Sequence, residues 1–178
     1  HVENGIIVKS IVSTNLAKKI VNFYGGTCKD VLTGFKYIGE FITDLEKNFR
    51  EDVFVLGFEE SYGYLIGTHV RDKDATVASL VIAEMVSEYK KKNKTLIDRL
   101  SELYFQFGTF EHKVYSYKFA GSEGADKMSE LLADFRNNKP SKIGSLAVVN
   151  TKDYLEGIDD LPKANVLYYE LSDDAWIA

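Results

Sequence analysis

Residues 57–64 read GFEESYGY, which places the adjacent acids Glu59 and Glu60 and the hydroxyl of Ser61 between Gly57 and Gly63. They follow the apolar run VFVL at 53–56, so negative charge stands at the end of a stretch that reads as a buried strand. A carboxylate has two acceptor oxygens, and neighbouring hydroxyls on a sugar ring are spaced to donate to both. A serine close by donates or accepts as the ring requires. Flanking glycines such as Gly57 let a backbone approach its ligand closely. The E-x-S pattern therefore suits a grip on a polyol. The competing reading makes Glu59 and Glu60 loop acids that cap a backbone amide, with Tyr62 and Tyr64 as core.

Two basic turns bracket this motif. In RDKD at 71–74 the aspartates suit a helix start, where they meet the positive end of the dipole. Arg71 and Lys73 gain nothing from that dipole, so they are candidates for facing an anion such as phosphate. Helix capping explains Asp72 and Asp74 more simply than a pair of metal ligands does. TGFK at 33–36 opens a second helix after a strand, a geometry that presents backbone amides and Lys36 to a phosphate. The three histidines, His1, His69 and His112, lack the helical spacing of metal ligands.

The elements that must carry these residues follow from hydrophobic periodicity. Residues 6–12 read as a buried strand, 16–24 as a helix closed by Gly25-Gly26, and 28–32 as a second strand. A helix follows with Ile38, Phe41, Ile42 and Leu45 inward, and then a strand over 53–58 that delivers the acidic motif. Such β-α-β-α-β alternation predicts a mostly parallel sheet with flanking helices. A long helix is predicted over 75–92, with Ala78, Val81, Ile82, Met85, Val86 and Tyr89 on one face. Its terminal lysines 90–92 complement the dipole rather than form a binding patch. Thr95 and Asp98 predict a capping box for a helix that ends at Gly108 and buries Leu96, Leu100, Leu103 and Phe107.

Beyond residue 108 the pattern changes. Alternating Tyr115, Tyr117 and Phe119 predict a strand over 113–119, followed by a helix over 122–136. Its inward residues are Ala125, Met128, Leu131, Leu132 and Phe135. Further strands are predicted at 144–149, 164–171 and 175–177. We expect a mostly parallel α/β unit at 1–108 and a partial α+β unit with an antiparallel sheet at 109–178.

The 178 residues are 45% hydrophobic and 28% charged, which suits a folded chain rather than a disordered one. A net charge of −5 argues against general nucleic-acid binding, for want of surplus phosphate-neutralising cations. No apolar run approaches a membrane span. The lone Cys28 excludes an intrachain disulfide and a cysteine-rich zinc site, so a cytoplasmic setting is expected.

Taken together, VKSIVST (8–14), LTGFKYIGE (32–40), GFEESYGYLIGTHVRDKDA (57–75) and DRLSELYFQFG (98–108) resemble the third domain of the α-D-phosphohexomutases. These are the phosphoglucomutase and phosphomannomutase superfamily. KVYSYKFAG, DFRNN and ANVLYYELSDDAWIA are similar to the opening of that superfamily's fourth domain. The resemblance implies an enzyme that interconverts glucose or mannose 1- and 6-phosphates through a phosphoserine and a bisphosphate intermediate, with Mg²⁺ assistance. It assigns the sugar hydroxyls to Glu59 and Ser61, and makes Lys36 a ligand contact or an acid–base participant. The phosphoserine loop, the D-x-D-x-D-R magnesium loop and the R-P-S-G-T-E-P phosphate loop of the superfamily do not occur in this sequence. The resemblance thus implies a segment that works with the remaining domains of a parent chain and is inactive alone. Its Mg²⁺ would bind outside the segment, and no catalytic residue beyond Lys36 is expected within it. Two alternatives stand beside this reading: a phosphopentomutase of the same superfamily, and a non-catalytic binding module.

Overall fold

Strand β1 (Ile6–Ser10) is the centre of the first sheet, and its last three residues, Val8, Lys9 and Ser10, are completely buried. Burial on both faces is what a central parallel strand requires. The computed structural model describes residues 4–158 and 160–178, so His1 lies outside the described residues. Two compact units divide the chain at His112 and Lys113.

In the first unit β1 leads into helix α1 (Leu16–Phe23), strand β2 (Thr27–Val31), helix α2 (Phe35–Lys47), strand β3 (Phe54–Glu59) and strand β4 (Gly63–Ile66). A single turn of 3₁₀ helix over Glu51–Val53 delays the start of β3 by one residue relative to the sequence reading. The sheet order is β2-β1-β3-β4, with β1 parallel to both β2 and β3 and β4 antiparallel to β3. The mostly parallel α/β arrangement is as the periodicity predicts. Ile38, Ile42 and Leu45 of α2 are buried against Val8, Phe54 and Leu65, while Phe41 packs at the margin. Gly57 sits in mid-β3 under this helix, where a Cβ would come within 2.5 Å of Ile38 Cγ2. Right-handed crossovers put α1 and α2 on opposite faces of such a sheet.

Helices α3 (Ala75–Lys91) and α4 (Leu96–Phe107) complete the unit. Asp74 caps α3 by accepting from Thr76 N at 2.9 Å and Val77 N at 3.0 Å. Thr95 and Asp98 form the predicted reciprocal capping box. The faces expected to be inward are not buried, however: Ile82, Met85, Val86 and Leu100 are exposed. The apolar residues of α3 and α4 outnumber the surface that the first unit offers them.

The second unit holds helix α5 (Gly121–Asn137) and strands β5 (Lys142–Ile143), β6 (Leu146–Asp153), β7 (Leu167–Leu171) and β8 (Trp176–Ile177). These strands pair antiparallel in sequence order, as the predicted α+β unit requires. Leu167, Tyr169 and Leu171 are buried, with Leu132 and Ile143 packed against them. Arg136 Nε donates to Asp153 Oδ2 at 2.9 Å and holds that carboxyl below the usual carboxylate range. The strand predicted over 113–119 does not form: residues 111–120 are exposed and take part in no ladder. Alternation marks a strand only where a neighbouring edge takes up its amides and carbonyls, and no described strand lies beside this one.

Candidate functional site

Strands β3 and β4 make a hairpin in which Glu59 pairs with Gly63, leaving Glu60, Ser61 and Tyr62 as a three-residue turn. Tyr62 closes the turn in the left-handed region at φ 61, as three-residue hairpin loops commonly require. The paired-acid motif is therefore the tip of a hairpin, and β4 within it is an element the sequence reading treated as loop. The tip stands at the C-terminal ends of β1 and β3. The strand order reverses at that point, which is where ligands of open α/β sheets collect.

Glu59 is the last residue of β3 and Glu60 the first of the turn, and their side chains take different partners. Glu59 is 3% exposed, and its Oε1 accepts from the backbone N–H of Gly34, the residue that precedes α2, at 2.5 Å. The carboxylate thereby meets the positive end of the α2 dipole. Its Oε2 lies 3.6 Å from Lys73 Nζ. The stem of Lys73 reaches it by crossing Gly63, where a Cβ would stand 2.6 Å from Lys73 Cε, and its ammonium lies 6.0 Å from the Phe35 ring centroid. Glu60 turns the other way. Its Oε2 accepts from Ser10 Oγ at 2.6 Å and from Ser13 Oγ at 3.2 Å.

Beneath those serines lies Lys9, 0% exposed, whose Nζ is 2.8 Å from Asp30 Oδ1 and donates to the carbonyls of Ser10 and Ser13. Neither Lys9 nor its serines were singled out as functional from sequence. The signal was present: a lysine and two serines inside VKSIVST are polar groups in a stretch that must be buried.

The structure gathers Glu59, Ser61, Lys73 and the first turn of α2 around the hairpin tip. Ser61 is exposed at the tip, and Tyr62 beside it is 90% exposed, so the reading of Tyr62 as core does not hold. Lys36 is exposed in the first turn of α2, with its ammonium 4.8 Å from the Tyr37 ring centroid. Two other predicted residues stand elsewhere. Gly57 faces Ile38 and serves helix–sheet packing. Arg71 pairs with Glu46 and donates to the carbonyls of Thr68 at 2.5 Å and Val70 at 3.1 Å. Glu46 is twelve residues along α2 from Gly34, roughly 18 Å at the helical rise. The Arg71 guanidinium is thus bound at the far end of the helix from Glu59.

Among the described residues no group of three His, Cys, Asp or Glu side chains is placed to hold a metal ion. His69 Nε2 is 2.8 Å from Asp74 Oδ2, at the start of α3. Backbone donation from Val77, then the bond with His69, holds the Asp74 carboxyl below its ordinary value. Burial pushes the Cys28 thiol up, so it is not poised as a nucleophile. No described helix is long and apolar enough to cross a membrane.

Residues 1–104 match the family described as phosphoglucomutase/phosphomannomutase, alpha/beta/alpha domain III. A phosphoglucomutase of Staphylococcus aureus (strain MRSA252) is 36% identical over 184 residues, covering 97% of this chain and 33% of the relative. One from Staphylococcus epidermidis (strain ATCC 35984) is 35% identical over 175 residues, covering 92% of this chain and 32% of the relative. The chain thus spans about a third of the length of these curated relatives. The crystal structure of a putative phosphomannomutase from Thermus thermophilus shares the fold, with a TM-score of 0.60 at 18% identity over 98% of this chain and 30% of that one. With its domain III matched across the sheet that carries the acidic hairpin, the chain belongs to the phosphoglucomutase/phosphomannomutase family.

Proposed function

We propose that this chain supplies the sugar-gripping part of a phosphohexomutase, which moves a phosphoryl group between the 1- and 6-positions of glucose or mannose phosphate through a phosphoserine and a bisphosphate. The observation that carries this reading is the placement of Glu59. A carboxylate fixed by a helix-start amide, at the reversal point of an α/β sheet, has an exposed serine two residues away and a lysine across it. Gly34 uses one of the carboxylate's roughly four acceptor positions, and the others can serve a vicinal diol. Lys73 is 44% exposed on its side chain and only loosely held, so it is the group that yields to an incoming hydroxyl. A diol in the middle of the ring lies near the axis about which a bisphosphate would turn between half-reactions. One carboxylate can then hold it in both orientations.

In this reading the chain acts together with the remaining domains of a longer, cytoplasmic parent and is inactive alone, in keeping with its coverage of about a third of its relatives. The Mg²⁺ that the family implies does not fit the acids described here. Glu59 and Glu60 face different partners, and among the described residues no third acid joins either of them. No step of the metal is assigned to the described residues, and in this reading its donors are supplied by other parts of the parent.

The test is Glu59→Ala in the full-length enzyme, assayed with glucose 1-phosphate. We expect kcat/KM to fall by at least ~100-fold with folding retained, because the lost contact orients the reacting sugar. Near-normal turnover in a folded variant would remove Glu59 from the grip.

A further inference from the structure

The reading above leaves Glu60 and the buried polar end of β1 without a task. Lys9 and Ser10, at the end of β1, are 0% exposed, and Ser13, in the bend that follows, is 1% exposed. Replacing buried charges with apolar residues is often neutral or stabilising, so fold stability is a poor reason to keep them. Their geometry has a common focus instead. Lys9 Nζ donates to the carbonyls of Ser10 at 3.2 Å and Ser13 at 3.1 Å, and so ties down the bend that leaves β1. That bend sets the two serine hydroxyls 2.9 Å apart, and both donate to the same oxygen of Glu60, fifty and forty-seven residues away in sequence. Asp30 balances the Lys9 charge at 2.8 Å.

We propose that Glu60 is a positioning residue for the sugar grip, clamped by Ser10 and Ser13 so that Glu59 and Ser61, its neighbours on either side, are held at their working angles. The proposal rests on the sugar-grip reading. Glu60 is the middle residue of E-x-S, and locking its side chain to β1 removes the turn's freedom to rotate about the β3 axis. Glu59 has its own anchor at Gly34, whereas Ser61 is exposed and depends on Glu60 for its placement. Ser10, Ser13 and Glu60 thus act through their neighbours rather than on the sugar.

The experiment compares Glu60→Ala, Ser10→Ala, the double variant and Glu60→Gln in the full-length enzyme, by kcat/KM on glucose 1-phosphate and by thermal midpoint. Glu60→Ala is expected to lose ~10- to 100-fold in kcat/KM, as a misplacement of about an ångström does, with the midpoint within a few degrees of the parent. The double variant is expected to lose no more than Glu60→Ala alone, since both remove one clamp. Glu60→Gln, whose amide oxygen still accepts from a hydroxyl, is expected to recover most of the loss. Parent-like kcat/KM in Glu60→Ala overturns the proposal, as do multiplying losses in the double variant or a loss matched by the unfolded fraction. Should Glu60→Ala fail to fold, Ser10→Ala and Glu60→Gln decide: a drop in the first with recovery in the second supports the clamp, and any other pattern refutes it. Glu59→Ala, run alongside, separates the two ideas. If it inactivates while Glu60→Ala does not, only the clamp fails. If Glu59→Ala stays active, the grip itself fails.

Discussion

At the residue scale, two glycines six positions apart make opposite demands. A Cβ at Gly57 would press on Ile38 Cγ2 at 2.5 Å inside the core, whereas one at Gly63 would displace Lys73 Cε from 2.6 Å. We expect Gly57→Ala to cost about 1–3 kcal/mol of stability, the usual penalty of overpacking. Gly63→Ala should cost less than Gly57→Ala, because its nearest obstruction is the end of a flexible side chain, with the Phe35 ring next at 3.1 Å. It should change kcat/KM in the full-length enzyme instead, by displacing Lys73 from its place over Gly63 beside the sugar grip. Denaturant melts and steady-state kinetics on both variants separate the two roles, and a stability loss at Gly63 equal to that at Gly57 would contradict the Lys73 path. The acidic motif itself was legible in the sequence, because a carboxylate at the end of an apolar run is costly without a task. The partners of its two acids were not. Glu60 finds Ser10 and Ser13 only once β1 and β3 lie side by side, and no local pattern encodes that pairing.

At the scale of elements, the start of α3 depends on one ionised side chain. The Asp74 carboxyl is held below its ordinary value of 3.8, chiefly by the Val77 amide and then by His69. A carboxyl depressed in the folded state contributes fully above that ordinary value, and the contribution fades as pH falls through the lower folded value. We therefore expect the first turn of α3 to fray below about pH 4, read as faster amide exchange at Thr76 and Val77. Asp74→Asn should flatten this acid limb while keeping the cap, since its amide oxygen still accepts. Unchanged acid sensitivity in that variant would assign the limb to another group. The helices and parallel strands of the first unit were readable because their apolar spacing and end residues agree, from the Thr95 capping box to Gly25 after α1. Two elements were not. Strand β4 was hidden inside a motif that looked like a binding loop. The segment 113–119 alternates like a strand yet has none beside it to pair with.

At the scale of the whole molecule, the stretch from 109 to 120, which spans the division between the two compact units, has neither helix nor strand. Tyr115 and Tyr117 within it are 73% and 77% exposed. Brief chymotrypsin treatment is expected to cut there first and to yield one fragment for each unit, identified by mass. Early cleavage inside α2 or β7 would mean that the units open before the connection does. Periodicity leads one to expect a change of architecture near residue 109, and the units divide at His112 and Lys113, after which one helix precedes a run of short strands. It did not show how much apolar surface α3 and α4 leave uncovered. That depends on what packs against them, and a helix face reads the same in sequence whether or not anything does.

The separate anchoring of Glu59 and Glu60 has a consequence for how this segment can vary through descent. Each acid reaches its partner because Glu59 ends β3 and Glu60 opens the turn, so gaining or losing one residue between Phe54 and Glu59 would shift both. Neither carboxylate would then stand opposite its present partner. Point substitutions around the hairpin test one contact at a time, but a single-codon insertion or deletion would break both at once. Lineages carrying this hairpin should therefore drift in residue identity while keeping its length constant.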